Sequence, residues 1–305
     1  MPQKTRTAFV TGASRGIGKV VALWLARSGF DVAITARSVA PGEEREHSPS
    51  VRRSDTSPLP GSLQETAAEI EAMGRRVLML PADITDPASV GAAAATVLER
   101  WGPVDVLVNC ARHTGAGHMD KVLDTPVSAI RTVMEGNFFT PVLLTKLFAP
   151  GMVARGSGII INFTSMSAFS DPVKPAGDGG WGITYGATKA AVHRLAGIIA
   201  LELQESGVQC FNVDPGYTWT ERIEQDMAKF GFVADGAPPE VSGSVVAWLV
   251  THPEAAAFNG RTIFAQAFCA EYDLLPNWDA SHLRPIRARM DRSPVDLEDG
   301  KSVSL

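Results

Sequence analysis

Cysteine is scarce in this chain of 305 residues: Cys110, Cys210 and Cys269 are odd in number and widely spaced. A disulfide framework needs pairs, and a structural zinc site needs close Cys and His spacings. The pattern therefore speaks against both, predicts no metal, and points to a reducing, cytoplasmic compartment. An excess of positive charge is also missing, with 28 Lys and Arg against 33 Asp and Glu and a formal net charge of −5, so nothing recommends nucleic acid or an anionic membrane as partner. No apolar run reaches membrane-spanning length, residues Met1–Arg6 have no signal-peptide core, and no internal repeat is visible. What remains is an ordinary globular composition, 45% apolar and 20% charged, long enough to bury a sizeable core.

The glycines that matter lie near the start. Thr7–Val10 is a short apolar run that reads as a buried strand, and Lys19–Ala26 has helical periodicity. Between them stand Thr11, Gly12, Ala13, Ser14, Arg15, Gly16, Ile17 and Gly18. Strand, glycine turn and helix start together make a phosphate cradle. Gly12 permits the tight turn, Gly16 admits a pyrophosphate close to the backbone, and Gly18 lets the helix pack on the strand. The helix N-terminus adds free N–H groups and a partial positive charge. A plain surface loop is the alternative, and the strand–helix context favours the dinucleotide site.

Asp31–Ala36 reads as a second strand. About 20 residues past the glycines, an NAD site places an acid on the ribose 2′-hydroxyl. Ala36, Arg37 and Ser38 stand there instead, and Arg37 with Arg15 offers two guanidinium forks to a 2′-phosphate. NADP is the expected cofactor, with NAD the lesser alternative. Residues 39–61 read as a long loop insertion, either partly disordered or a local lid. Ser62–Glu65 is a capping box that starts a helix ended by Gly74. A strand over Arg76–Pro81 leads to Asp83 and Ile84, where the acid is placed to accept from an adenine amine. Asp86-Pro87 caps the next helix, and Val104–Asn109 is a fourth strand. The alternation predicts an α/β fold, a doubly wound parallel sheet (Rossmann fold) in one domain with helices on both faces.

Thr125-Pro126 opens a long expected helix containing Asn137 and Pro141. A proline four residues on removes the hydrogen bond to the Asn137 carbonyl, so the helix should kink and leave that carbonyl to a water. Gly158–Ser165 is a central strand ending in hydroxyls, residues 166–184 a substrate-side flap, and the following helix carries Tyr185 and Lys189 on one face. A neighbouring ammonium favours the phenolate and lowers the tyrosine pKa toward the working range. Ser165, at a strand's carboxyl end, stands where it can donate to a carbonyl oxygen. Strands follow at Val208–Val213 and Arg261–Ala267. Residues 1–267 are read as the dinucleotide-binding and catalytic domain, and 268–305 as a mixed polar tail.

With Thr11–Gly18, Asp83, Asn109-Cys110-Ala111, Asn137, Ser165, Tyr185 with Lys189, and Pro215-Gly216 with Thr220 in this order, the chain resembles a classical short-chain dehydrogenase/reductase over about residues 5–267. The resemblance implies a catalytic tetrad. Tyr185 passes the proton, Ser165 polarises the oxygen, Lys189 holds the nicotinamide ribose and lowers the tyrosine pKa, and Asn137 supports a water chain. It implies that Gly12, Ser14, Arg15, Gly16, Ile17 and Gly18 hold the diphosphate end. Arg37, Ser38, Asp83, Ile84, Asn109 and Ala111 are implied around the adenosine and the middle of the cofactor. Pro215, Gly216, Thr218 and Thr220 are implied to frame the nicotinamide with Tyr185 and Lys189. It also implies a homo-oligomer, a dimer or tetramer. Arg112 departs from the family, which commonly has glycine there, and is expected to narrow the substrate entrance. The expected activity is interconversion of a ketone or aldehyde with an alcohol. Phe169, Val173, Trp181, Ile223, Met227, Phe230 and Phe232 point to a hydrophobic small molecule as substrate. A cofactor-binding regulatory or scaffold protein without turnover is the alternative, disfavoured by the intact tetrad.

Overall fold

The computed structural model describes residues 5–228 and 236–280. Seven short apolar segments form one sheet in the order β3-β2-β1-β4-β5-β6-β7, with every pairing parallel. The strands are β1 (Thr7–Thr11), β2 (Asp31–Ala36), β3 (Val77–Pro81), β4 (Val106–Asn109), β5 (Gly158–Phe163), β6 (Val208–Asp214) and β7 (Thr262–Phe264). β1, β4 and β6 are buried along nearly their whole length, on both faces, as a parallel sheet covered by helices requires.

Helices α1 (Gly16–Arg27), α2 (Leu63–Ala72) and α3 (Pro87–Trp101) follow the first three strands. The chain then forms α4 (Val127–Met134), α5 (Thr140–Arg155), α6 (Ile183–Leu203), α7 (Glu221–Ala228), α8 (Glu240–Thr251) and α9 (Ala265–Glu271). One core, with Val21, Leu25, Val245 and Leu249, packs α1 and α8 against one face of the sheet. A second, with Val97, Leu144, Phe148 and Ile199, packs α3, α5 and α6 against the other. The strand order reverses between β1 and β4, so the crevice for a ligand opens above their carboxyl ends.

Local signals set several boundaries as expected. Ser62 Oγ accepts from the Glu65 N–H at 3.1 Å and donates to Glu65 Oε2 at 3.0 Å, fixing the start of α2. Asp86 Oδ1 accepts from the Ala88 N–H at 2.9 Å, with Pro87 in the first turn of α3.

Three elements differ from expectation. The long helix after Thr125-Pro126 is two α-helices joined by a π-helical turn over Glu135–Phe139, in which the Thr140 N–H donates to the Glu135 carbonyl. Pro141 cannot donate, so the widened turn ahead of it absorbs the missing bond. Thr125 does not cap α4; its hydroxyl donates to the Lys121 carbonyl at 3.0 Å. The last strand stops at Phe264, and the chain turns at once into α9, where Phe268 and Cys269 are buried. The segment expected as a tail after residue 267 thus begins inside α9. Tyr272, Leu274, Leu275 and Trp278 also pack against the core, because their apolar side chains have a covered site beside α8. The rest of the tail, 281–305, lies outside the described residues.

Candidate active site

Gly12 and Gly18 bring three pieces of backbone together. A Cβ on Gly12, whose φ is +74°, would stand 2.7 Å from the Ala111 Cα; one on Gly18 would stand 2.2 Å from the Gly12 carbonyl oxygen. Only glycine fits either place. The α1 N-terminus is thereby aimed into a cavity of about 1090 Å³ above the carboxyl ends of the sheet. The Gly16 N–H there donates to Glu221 Oε2 at 3.0 Å. A carboxylate oxygen thus sits where a phosphate oxygen is expected, which shows that this N–H presents to anions. Gly12, Ser14, Arg15, Gly16, Ile17 and Gly18 all line this cavity.

Beyond β2 the cavity is lined by Ala36, Arg37 and Ser38. The Arg15 guanidinium donates to Ser38 Oγ at 3.0 Å and to the Pro60 and Gly61 carbonyls at 2.7 and 3.0 Å. Arg37 lies 3.9 Å from Asp83 Oδ2 and donates to the Glu46 carbonyl at 3.4 Å. The insertion over 39–61 is not a loose loop. Asp120, buried on the loop after β4, accepts from Ser50 Oγ at 2.6 Å, the Val51 N–H at 2.8 Å and the Gly117 N–H at 2.7 Å. Arg222 of α7 donates to the His47 carbonyl at 3.0 Å. Arg45, Arg52 and Arg53 of the insertion line the same cavity.

At the other end, Tyr185 and Lys189 stand one turn apart on α6. The Tyr185 hydroxyl donates to Ser165 Oγ at 3.1 Å, and the buried Lys189 Nζ donates to the Phe163 carbonyl at 2.7 Å. Burial pushes the Tyr185 phenol up, but the Arg112 guanidinium, the Lys189 ammonium and the Ser165 hydrogen bond outweigh it, and the phenol lies below its ordinary range. Burial pulls Lys189 down more than the phenol pulls it up. Around Tyr185 stand the Arg112 guanidinium, 5.3 Å from the ring centroid, and the rings of His118 and Trp181, at 4.6 and 6.5 Å. Burial, helped by Arg112 and Arg222, holds His118 at about 3, so it is neutral.

Pro215, Gly216, Thr218 and Thr220 line the cavity after β6. This loop is braced: the Gly216 N–H donates to Asp214 Oδ1 at 2.9 Å, and Gln266 Nε2 donates to the Pro215 and Tyr217 carbonyls at 3.0 and 2.9 Å. Ile84 and Ala111 also line the cavity.

Three side chains go elsewhere. Asp83 Oδ1 accepts from the Thr85 N–H and hydroxyl at 2.9 and 2.8 Å, so this oxygen holds the turn before α3 and the carboxylate stays outside the cavity lining. Asn109 is buried in the sheet and donates to Asn162 Oδ1 at 2.8 Å. The Asn137 side chain is bound to backbone. Its Oδ1 accepts from the His113 N–H at 2.7 Å and its Nδ2 donates to the His113 carbonyl at 3.2 Å, tying the π-turn to the loop after β4. The expected apolar substrate wall is thin. Ile223 lines the cavity, but Phe169 packs on His193 and Phe264, and Val173 is 92% exposed. The Met227 side chain, Phe230 and Phe232 lie outside the described residues. Sequence reasoning missed Glu221, His118 and Gln266, because each acts across a long-range contact that no short motif announces.

A glycine turn on a helix start, a Ser–Tyr–Lys group at the carboxyl ends of a parallel sheet and a cavity joining them form one assembly. Residues 56–229 match the family model described as short chain dehydrogenase. This chain belongs to the short-chain dehydrogenase/reductase family. It is 31% identical over 252 residues to L-rhamnose 1-dehydrogenase (NAD(P)(+)) of Sphingomonas sp., covering 79% of this chain and 87% of that one. It is 30% identical over 224 residues to D-beta-hydroxybutyrate dehydrogenase of Rhizobium meliloti, covering 73% and 75%. The solved structure of acetoin dehydrogenase from Salmonella typhimurium superposes with a TM-score of 0.67 at 29% identity, covering 86% and 94% of the two chains. The chain is thus an oxidoreductase of a family that uses NAD(P), and no helix among its described residues is long and apolar enough to cross a membrane.

Proposed function

We propose that this short-chain dehydrogenase/reductase is NADP-dependent and interconverts a ketone or aldehyde with an alcohol at Tyr185. The observation that carries the reading is the Tyr185–Ser165 hydrogen bond beside buried Lys189, at the floor of a cavity that continues to the glycine turn. The site fits a dinucleotide, since the Gly12–Gly18 backbone packing leaves the Gly16 N–H facing an anion. When bound, the cofactor supplies or accepts the hydride. Gly12–Gly18 would hold its diphosphate, and Arg15, Arg37 and Ser38 its 2′-phosphate. Pro215, Gly216, Thr218 and Thr220 would frame its nicotinamide.

In this reading the chain's own residues handle the proton and the geometry. Ser165 and Tyr185 grip the carbinol or carbonyl oxygen. Tyr185 gives its proton to that oxygen in reduction and takes one in oxidation. Lys189 keeps the phenol acidic. Asn137 holds the loop after β4 against the π-turn with its side chain, and the water chain behind Lys189 that the family resemblance implies is left to its backbone carbonyl. The preference for NADP rests on the absence of an acid at Ala36 and on the Arg15–Ser38 contact. Association into a dimer or tetramer is supported by Ile198 and Leu201 on α6, which are 52% and 74% exposed. A cytoplasmic location is supported by three free cysteines; burial pushes the Cys110 thiol up to about 12. In the domain division we propose, residues 39–61 and 166–184 belong to the substrate and cofactor side of one catalytic domain.

The test is steady-state turnover with NADPH and NADH over a panel of carbonyl compounds. NADPH should be preferred. Arg37→Ala should weaken NADPH by about tenfold or more, the loss of a charge-assisted fork, and leave NADH nearly unchanged. Tighter binding of NADH by the unaltered protein would overturn the preference.

A further inference from the structure

The glycine expected after Ala111 in this family's pattern is Arg112 here, and the structure gives that change a place. The guanidinium lies over the Tyr185 ring, 5.3 Å from its centroid, in the wall of the cavity where the reacting oxygen must sit. Its side chain is exposed to that cavity and forms no ion pair among the described residues. An arginine standing over a proton donor without an acid of its own is a receptor for an anion that arrives with the substrate.

The neighbours support the same reading. Arg222, the second guanidinium on this side, lies close enough to act on His118 together with Arg112. His118 itself is neutral, so beside Tyr185 it offers a hydrogen bond without adding to the charge. The nearby carboxylates have other work. Asp120 is taken by Ser50, Val51 and Gly117, and Asp214 braces the Gly216 N–H. Of the apolar side chains expected to face a hydrophobic substrate, Ile223 lines the cavity and Trp181 stands beside Tyr185, while Phe169 packs on His193 and Phe264 and Val173 is exposed.

We propose that the substrate is a short oxo acid or hydroxy acid whose carboxylate is received by Arg112 while its reacting oxygen is held by Ser165 and Tyr185. This rests on the carbonyl–alcohol reading above. Because the guanidinium lies over the same ring that carries the reacting hydroxyl, the carboxylate must stand close to the reacting carbon, not at the end of a long chain.

The experiment compares short oxo acids with their methyl esters as paired substrates, using the full chain with its preferred cofactor. The quantity read is the ratio of kcat/KM for the acid to that for its ester, which cancels any effect of Arg112 on Tyr185 shared by both. The acid should be preferred. Arg112→Met should lower the ratio by about tenfold to a hundredfold, mainly through KM for the acid, and Arg112→Lys should recover part of it. Equal turnover of acid and ester by the unaltered enzyme, or an unchanged ratio in Arg112→Met, overturns the proposal and leaves the oxidoreductase reading standing. Calorimetric titration of the cofactor-bound protein with malonate and with neutral malonamide decides the point without turnover. Malonate should bind at least about tenfold tighter, and the difference should vanish in Arg112→Met; no difference overturns the proposal. If neither acids nor esters react yet malonate binds through Arg112, it is the carbonyl–alcohol reading that fails.

Discussion

At the scale of single residues, Tyr185 shows how environment sets chemistry. Four groups act on the phenol besides its burial: Arg112, Lys189 and the Ser165 hydroxyl lower its pKa, and Asp214 raises it. The balance makes the phenol more acidic than an ordinary tyrosine. Oxidation of an alcohol needs the phenolate to accept the proton, so the oxidation rate should rise with pH through a limb that lies below the ordinary tyrosine range. Reduction needs the protonated form and should decline along the same limb. Tyr185→Phe should remove turnover to below a few per cent while cofactor affinity stays nearly unchanged, because the ring remains but the proton is gone. Stopped-flow turnover with a separate cofactor titration checks both. The grouping of Ser165, Tyr185 and Lys189 was legible in the sequence because it follows from strand-end and one-turn geometry. The side-chain partners of Asp83, Asn109 and Asn137 were not legible, because a side chain's partner depends on what lies beside it in space. Asn109 meets Asn162 across adjacent strands, and Asn137 meets the His113 backbone across two elements.

At the scale of elements, the insertion over 39–61 was legible only as an interruption. Its Pro, Ser and Arg content says that it is not a helix or strand, but not that it spans the cavity and is fastened on the far side. The fastening is Asp120. Burial pushes its carboxyl up, but the bonds from Ser50, Val51 and Gly117 and the nearby Arg52 outweigh this and hold it below the usual carboxylate range. A depressed carboxylate contributes stability above its unfolded pKa, and that contribution is lost as pH falls through the folded value. The anchor should therefore hold at neutral pH and in mild acid, and loosen only in acid below the usual carboxylate range. Asp120→Ala removes the acceptor of three bonds at once and should free the insertion at any pH. Limited trypsin digestion should then cut after Arg45, Arg52 or Arg53 several-fold faster than in the unaltered protein, with cofactor binding weakened as Arg15 and Arg37 lose the ordered wall opposite them. Equal digestion rates would show that the insertion is held by other contacts. The π-turn at Glu135–Phe139 has a similar status. Pro141 announced a break in the helix, but whether the chain answers with a kink or with a widened turn is decided by packing against the loop after β4.

At the scale of the whole molecule, the parallel sheet followed directly from the alternation of apolar strands and amphipathic helices. The end of the domain did not, because α9 is short and its signal is aromatic, not periodic. Trp248 of α8, Phe258, and Phe268 and Tyr272 from the α9 region form one cluster, with Phe268 and Tyr272 stacked at 4.3 Å and Phe268 5.0 Å from Trp248. The same helix carries Gln266, which holds the Pro215 and Tyr217 carbonyls. Helix α9, which runs from the expected domain into the segment read as a tail, is thus a buttress between the core and the loop proposed to frame the nicotinamide. Phe268→Ala opens a cavity in that cluster and should cost about 3–5 kcal/mol, lowering Tm by roughly 2–4 °C for each kcal/mol in a protein of this size. Because the loss acts on folding and not on the reacting groups, saturating cofactor should restore part of it, about 2.7 kcal/mol at a hundredfold excess over Kd. Thermal melts with and without NADPH measure both quantities. If the variant melts like the unaltered protein, the cluster contributes little and the domain does end at β7; if it melts low and cofactor restores nothing, the damage has passed through Gln266 into the site itself.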